Sequence, residues 1–589
     1  MNKFALVCCM ASLALTLFLA ALDIVIVITL YDTIGQKFND YSSIGWLVTG
    51  YSLPNALFTL LWGRFASLSG LKTSLVMSIL IFELGSLIVA VSTSMGMLIG
   101  GRVVAGCGGS GIQSLVFAVG TSLVQEKNRG LVITALGLAF AIAFAVAPII
   151  GGAFTENVTW RWCFYINLPV GGLALFLLLC TYNPTGKPWT HTVRDNGRAV
   201  IRAPYGNLFR AKFWHEFSHL LFFKLDFIGF ALSSAGFVLF LLGFTFGGTQ
   251  NAWDSGTIIA YITVGGILIL LFVLFDFVLL PWYGRRNEHL PVSPLLSWSM
   301  CKIPGIFTSS FANFFCCFAF NMQIVYIVQF YQIVHNKGPT AASMHMWAFL
   351  VPVMLSIIIM GKVNQKLGLI KPGIVVGVVC GVAGSGVLTL ISNDSTTGQV
   401  IGYSIMPGIA FGSIMQGSLL SAQVQVEKSD PLFHPKFIEA TAINTFAKSL
   451  GMSFGGIFAT MVFTNSVHDK FVQHNLDLSA YGSVEGLIVA SEHHYQGPDS
   501  LVAKIITDAI RNVYYVSLGC SAISFMFGIF SSNKRLFYKQ PQDLEKTETQ
   551  DTIGKRESDS APSSGQEDSQ LDGQEECVAE PKLDISSTR

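Results

Sequence analysis

The sequence predicts an all-α, polytopic membrane protein: two six-helix halves with two extra central spans, about fourteen spans in all, and both termini cytoplasmic. Three observations carry that expectation. Of the 589 residues, 52% are hydrophobic and only 12% charged, about half the charged share of a soluble protein. Apolar runs near twenty residues recur along the whole chain, and the mean hydropathy is +0.56. The cations between those runs alternate sharply from side to side.

The apolar runs fall near 6–28, 45–63, 74–92, 97–119, 131–153, 163–182, 227–248, 257–281, 305–330, 342–361, 372–391, 400–422, 438–463 and 510–532. Each is long enough to cross about 30 Å of hydrocarbon as a helix. The first run begins after Lys3 and lacks a small-residue cleavage site, so it reads as a span and not a signal peptide. With the N-terminus inside, Arg64, Lys72, Lys127, Arg129, Lys362, Lys366 and Lys371 fall on inner loops. The basic stretch 183–224 does so too, whereas outer loops carry only Lys37, Arg161, Lys337, Lys470 and Lys504. The sequons at Asn157 and Asn393 fall on outer loops and are candidate glycosylation acceptors.

The domain reading follows. Residues 1–182 form the N-terminal half, 183–226 a basic cytoplasmic loop, 227–281 an inserted helix pair and 282–304 a second inner loop. Residues 305–532 form the C-terminal half, with a long external loop at 464–509. Residues 533–589 are polar and almost free of aromatics, which predicts a disordered cytoplasmic tail. An internal echo supports two halves. Gly63-Arg64 through Gly70-Leu71-Lys72 follows the second run, and Gly361-Lys362 through Gly368 follows the tenth. Each places two glycines seven apart with a cation beside the first. Duplicated halves are characteristic of secondary transporters.

Composition also excludes classes. A net charge of +1 suggests neither nucleic acid nor an acidic partner. The eleven cysteines lie almost wholly in apolar runs, without metal-ligand spacing, and read as small apolar residues. No phosphate-cradling loop is present, and Gly106 to Gly111 lies inside an apolar run. The expectation is therefore no enzyme, no metal and no cofactor.

Ionisable residues inside the spans need a reason, because burying them in a bilayer costs a few kcal/mol or more. Arg102 stands on a glycine-dense face running to Gly111. A guanidinium does not release its proton readily, but it can hold a carboxylate charged or let it protonate. Asp23, late in the first run, and Glu83, in the middle of the third, are the candidate proton carriers; structural pairing is the alternative for all three. Asp276 belongs to the inserted pair, and Asp226 reads as solvated at a span edge. Glu439 and Lys448 are nine residues apart in one run, about 13 Å along a helix, so they do not pair with each other. Glu439 reads as interfacial and Lys448 as deeper. Pro148 with Gly151 and Gly152 combines a helix breaker with small residues, which suits a hinge.

Leu22-Asp23-Ile24-Val25, the Gly63–Gly70 loop, Gly101-Arg102 through Gly106, and Ala147-Pro148 through Gly152 resemble successive signatures of the major facilitator superfamily. The fourteen-span drug:proton antiporters fit best, and Trp160-Arg161-Trp162 through Pro169 looks like their fungal members. Vacuolar basic amino acid transporters are related. The resemblance implies alternating access with proton antiport. It implies a coupling role for Arg102, a first-span role for Asp23, a gating loop at Gly63, Arg64, Gly70 and Lys72, and an antiporter hinge at Pro148, Gly151 and Gly152. Ser67 and Ala147 depart from it, standing where an acid and a glycine are usual.

The function expected is multidrug efflux of lipophilic or cationic drugs and dyes from the plasma membrane, by a monomer whose partners are substrate, protons and the lipid bilayer. The alternatives are a vacuolar basic amino acid transporter and a non-transporting sensor. Trp46, Tyr51, Phe117 and Tyr326 are aromatic candidates for a cationic drug site.

Overall fold

Fourteen long helices make up the computed structural model, which describes residues 3–38, 45–182, 224–248, 251–286, 293–427, 429–474 and 500–536. The expectations for 183–223, 475–499 and the tail beyond 536 lie outside these residues. The helices are α1 Lys3–Ile26, α2 Gly45–Ser69, α3 Leu71–Ala90, α4 Met95–Ser122, α5 Arg129–Asn157, α6 Trp162–Thr181 and α7 Phe227–Phe246. After them come α8 Gly256–Arg286, α9 Pro304–Val334, α10 Trp347–Leu367, α11 Lys371–Leu388, α12 Thr397–Val424, α13 Phe433–Gln473 and α14 Leu501–Ile529. No named strand occurs among the described residues.

Thirteen of the helices are long and apolar enough to cross a membrane. The exception, α2, has 25 residues but carries Ser52, Pro54, Asn55 and Arg64, and packs between α4 and α13. Every apolar run of the sequence overlaps one of these helices. Two helices outrun their apolar segments. The α13 helix continues to Gln473 by burying Val467 and Phe471, and α14 begins at Leu501 with Ile505 and Ile506 buried. The ends of the expected external loop 464–509 are thus helical.

Local chemistry sets the breaks. Ser94 and Ser500 cap α4 and α14 by accepting the N–H of Met97 and Ala503, each at 3.2 Å. Thr396 and Gln399 form a reciprocal capping box on α12. Gly70 and Gly368, the second glycines of the two echoing loops, take φ of 87° and 65°, a left-handed turn that costs glycine little.

The packing pattern repeats with a shift of eight helices. In the first half α1 packs on α5 and α6, α4 on α2 and α3, and α3 on α6. In the second, α9 packs on α13 and α14, α12 on α10 and α11, and α11 on α14. Matching close approaches recur within it. A Cβ on Gly106 would stand 2.4 Å from the Tyr51 carbonyl oxygen, and one on Gly408 would stand 2.4 Å from that of Phe349. The halves meet along two seams, α2 with α13 and α5 with α10. The inserted α7 lies beside the first seam, with Phe230 against Phe58 of α2 and Phe244 against Phe458 of α13. Its partner α8 packs mainly on α7 and leaves Ile259, Ile267 and Leu270 exposed, as a lipid-facing helix does.

Candidate coupling site and central cavity

Late in α1, Asp23 is 1% exposed, and Arg102 of α4 is fully buried. They pair at 2.5 Å between the guanidinium and Oδ2. The guanidinium fork also donates to the backbone carbonyls of Asp23 at 3.2 Å and Leu47 at 2.9 Å. Below it lies the Tyr51 ring of α2, 4.5 Å from the guanidinium carbon, whose hydroxyl donates to the Ala20 carbonyl at 3.2 Å. On the other side Asn167 of α6 donates to Asp23 Oδ1 at 3.4 Å and to Ser86 of α3 at 3.1 Å. Five helices of the first half thus meet in one polar cluster, and α4 and α6 reach the carboxylate itself.

This arrangement can respond to a proton. Asp23 can take one and Arg102 cannot lose one. When the carboxylate is neutralised, the two carbonyls still hold the cation, so the pair can loosen without leaving Arg102 unpaired.

Glu83 lies one turn before Ser86 on α3, facing α6, where a Cβ on Gly171 would fall 1.7 Å from Glu83 Oε1. Both its oxygens are buried and accept no hydrogen bond among the described residues. The structure thus gathers Asp23 and Arg102 into one cluster and leaves Glu83 at its flank without a cation.

The loop residues sit at the seams. A Cβ on Gly63 would meet the Ala442 side chain at 2.6 Å, and one on Gly361 would meet Thr134 Oγ1 at 1.9 Å. Arg64 pairs with Glu439 of α13 at 3.4 Å, and Glu439 also accepts the Ser297 N–H at 3.2 Å. Glu439 is thus an inter-half partner and not a free interfacial acid. Ser67 donates to the Arg64 carbonyl at 2.7 Å, so the acid facing Arg64 comes from α13 and not from position 67. Lys72, in the first turn of α3, takes no part in this pair.

Asp226 corrects its expectation of a solvated span edge. It is fully buried, because the 293–297 segment folds over it: Asp226 accepts the N–H of Gly229 at 3.0 Å and of Leu295 at 2.8 Å. Asp276, in a π-turn of α8, accepts that of Leu296 at 2.7 Å. These carboxylates tie the inserted pair to the segment that also reaches Glu439.

Pro148 lies within the unbroken α5. Gly151 and Gly152 are buried, and a Cβ on Gly151 would stand 2.1 Å from Thr29 Oγ1, beyond the end of α1. Asn157 is exposed at the C-terminus of α5, and Asn393 lies in the turn between α11 and α12.

Between the halves lies a small cavity of about 20 Å³, room for about one water, lined by Phe117 of α4, Asn313 of α9, Gln416 of α12, and Asn444 and Lys448 of α13, among others. Lys448 is 3% exposed, donates to Gln113 Oε1 at 3.0 Å and lies 4.8 Å from the Phe140 ring centre. Of the expected aromatics, Phe117 alone lines this cavity. Tyr51 belongs to the Arg102 cluster, Trp46 packs on Phe246 and Tyr326 on Phe463. Sequence reading missed Asn167, Ser86 and Gln113; a neutral polar residue in a span carries no charge that demands a counter-ion, and the only available signal was that each sits in an otherwise apolar run.

A sequence profile described as Major Facilitator Superfamily matches residues 13–292. Protein SGE1 of Saccharomyces cerevisiae is 52% identical over 91% of this chain and 98% of its own. The chain belongs to the Major Facilitator Superfamily. Other superfamily relatives in the same yeast are Vacuolar basic amino acid transporter 5, 44% identical over 92% of this chain and 93% of its own, and Azole resistance protein 1, 42% identical over 90% and 89%. The superfamily fold is also that of the solved proton:xylose symporter XylE, with a TM-score of 0.54 at 12% identity, over 91% of this chain and 99% of that one. As a superfamily member, the protein is a multi-pass membrane transporter of small molecules, with drug-resistance proteins among its close relatives.

Proposed function

We propose that the protein exports small lipophilic compounds by alternating access driven by proton entry, with Asp23 as the proton-accepting group and Arg102 as its counter-ion. The buried Asp23–Arg102 pair carries this reading. An ion pair withdrawn from water adds little stability beyond its desolvation cost, which favours a working role over a structural one, and here only one partner can change its charge. Protonation of Asp23 weakens the tie between α4 and α1 to the backbone hydrogen bond that Arg102 keeps with the Asp23 carbonyl, and the two seams, α2–α13 and α5–α10, supply the surfaces along which the halves rock. Gly63 and Gly361 let the seams close, Arg64–Glu439 latches one of them, and Pro148, Gly151 and Gly152 form the hinge. Glu83 is a second protonatable site at the flank. The chain works as a monomer of fourteen spans in the plasma membrane, both termini cytoplasmic, with Asn157 and Asn393 on the outside.

The test is efflux from cells and from proteoliposomes with an imposed proton gradient. Dye efflux should stop with an uncoupler, and Asp23→Asn should abolish proton-driven flux while leaving substrate exchange at zero gradient. Efflux that ignores the uncoupler would sink the antiport reading. A second reading, transport of basic amino acids into vacuoles, has the support of a relative with that name. Arginine or lysine uptake by isolated vacuoles without dye efflux would establish it.

A further inference from the structure

We infer that Lys448 makes the central cavity selective for negative charge, so that its ligands are lipophilic organic anions; this rests on reading the protein as an exporter with its substrate site between the halves.

Lys448 is the only ionisable residue lining the cavity. No carboxylate balances it: the described ion pairs place Asp23 with Arg102 and Glu439 with Arg64. An ammonium has three N–H donors, and its only hydrogen-bond acceptor among the described residues is Gln113 Oε1. Besides that bond the face of the Phe140 ring, 4.8 Å away, attracts the ammonium, and a buried charge without a counter-ion is costly.

A second donor lies beside it. Asn444, one helical turn earlier on α13 and 2% exposed, has a side-chain NH2 with no acceptor among the described residues. Its carbonyl is already taken, accepting from Asn313 at 3.2 Å. One acceptor is also free in the lining, Gln416 Oε1, whose NH2 donates to Gly130 and Thr134. The balance is one positive charge, a spare amide NH2 and a single spare amide oxygen. Phe117, Met415 and Leu419 supply apolar wall. When the halves part, a carboxylate or sulfonate on an apolar body would accept from the ammonium and the spare NH2, and an N–H or O–H on that body would donate to Gln416 Oε1. A cationic dye or a basic amino acid would instead bring a second positive charge next to Lys448, with no acid in the lining to meet it.

The test uses two ions of nearly equal size and hydrophobicity and opposite charge, tetraphenylborate and tetraphenylphosphonium. Binding to purified full-length protein is measured by equilibrium dialysis, with empty micelles as the control. Wild type should bind the borate at least about tenfold tighter than the phosphonium. Lys448→Gln should erase that preference, and Lys448→Arg should keep it. Equal binding of both ions by wild type would overturn the inference, and so would a Lys448→Gln protein that weakens both ions alike, which marks a structural lysine. Should Lys448→Gln fail to fold, the wild-type preference and Lys448→Arg still decide. Because binding needs no gradient, anion preference without proton-driven efflux would defeat the export reading alone, and efflux without anion preference would defeat this inference alone.

Discussion

The two halves solve one packing problem with different chemistry. In the first, a polar cluster ties α1, α3, α4 and α6 through Asp23, Ser86, Arg102 and Asn167. In the second, a cluster ties the helices equivalent to three of these, α9, α11 and α14. There Gln323 donates to Ser385 and to Ser517, each at 2.7 Å, and Ser385 meets Ser521 at 2.7 Å. Asp23 and Gln323 both lie late in the helix that opens their half. The second cluster has the same place and no charge. A neutral network can hold helices together but has no charge state to change on taking a proton. Under the proposed function, the first half would be the one that takes up the proton, and the uncharged cluster of the second would be its frame.

The largest effect that would break this comparison comes from Arg102→Ala. It leaves the Asp23 charge buried without its partner, a defect that costs about 3–5 kcal/mol. Thermal unfolding in detergent should drop steeply and proton-driven flux should vanish. The double variant Asp23→Asn with Arg102→Gln should restore much of the stability and none of the coupling. A double variant that still couples would remove the distinction between the halves.

A change at the seams comes next. Gly361→Val puts methyl groups where a Cβ alone would stand 1.9 Å from Thr134 Oγ1, and Gly63→Val does the same toward Ala442 at 2.6 Å. Overpacking of this kind costs about 1–3 kcal/mol. Both variants should block seam closure and arrest transport, seen as raised labelling of a cysteine placed at Thr134 or Ala442. If only one glycine matters, the seams are not equivalent.

Much of the fold was readable from hydropathy alone, because a bilayer demands an apolar run for every span and α-helix for every run. The candidate site was readable only in pieces. Asp23 and Arg102 each stood out as charges in apolar surroundings, but 79 residues separate them and no local pattern announces the pair. Arg64 and Glu439 are 375 residues apart and come together only where α2 and α13 pack at the seam between the halves. Asp226 was misread because its burial comes from residues 293–297, which fold over it from beyond α8. Lys448 was legible as a deep cation; that it faces a cavity without an acid required the other half to be in place.

In the second half, Gln323→Ala removes the donor that Ser385 and Ser517 share and leaves their hydroxyls to find other partners. The loss should be about 1–3 kcal/mol, read as a modest fall in unfolding temperature, with the uncoupler sensitivity of efflux unchanged. Loss of proton coupling in this variant would show that the second cluster is not a passive frame.

The smallest change sharpens the assignment within the first half. Glu83 sits beside the cluster with no hydrogen-bond donor for either oxygen, so Glu83→Gln removes no contact among the described residues. Unfolding temperature should shift by less than about 1 kcal/mol would produce, as expected where no partner is lost. Flux is then the informative reading. If Asp23 alone accepts the proton, Glu83→Gln keeps proton-driven efflux, and counting protons per substrate in proteoliposomes gives the wild-type ratio. A lower ratio with efflux retained would make Glu83 a second carrier, and the first half would differ from its counterpart by two protonatable groups instead of one.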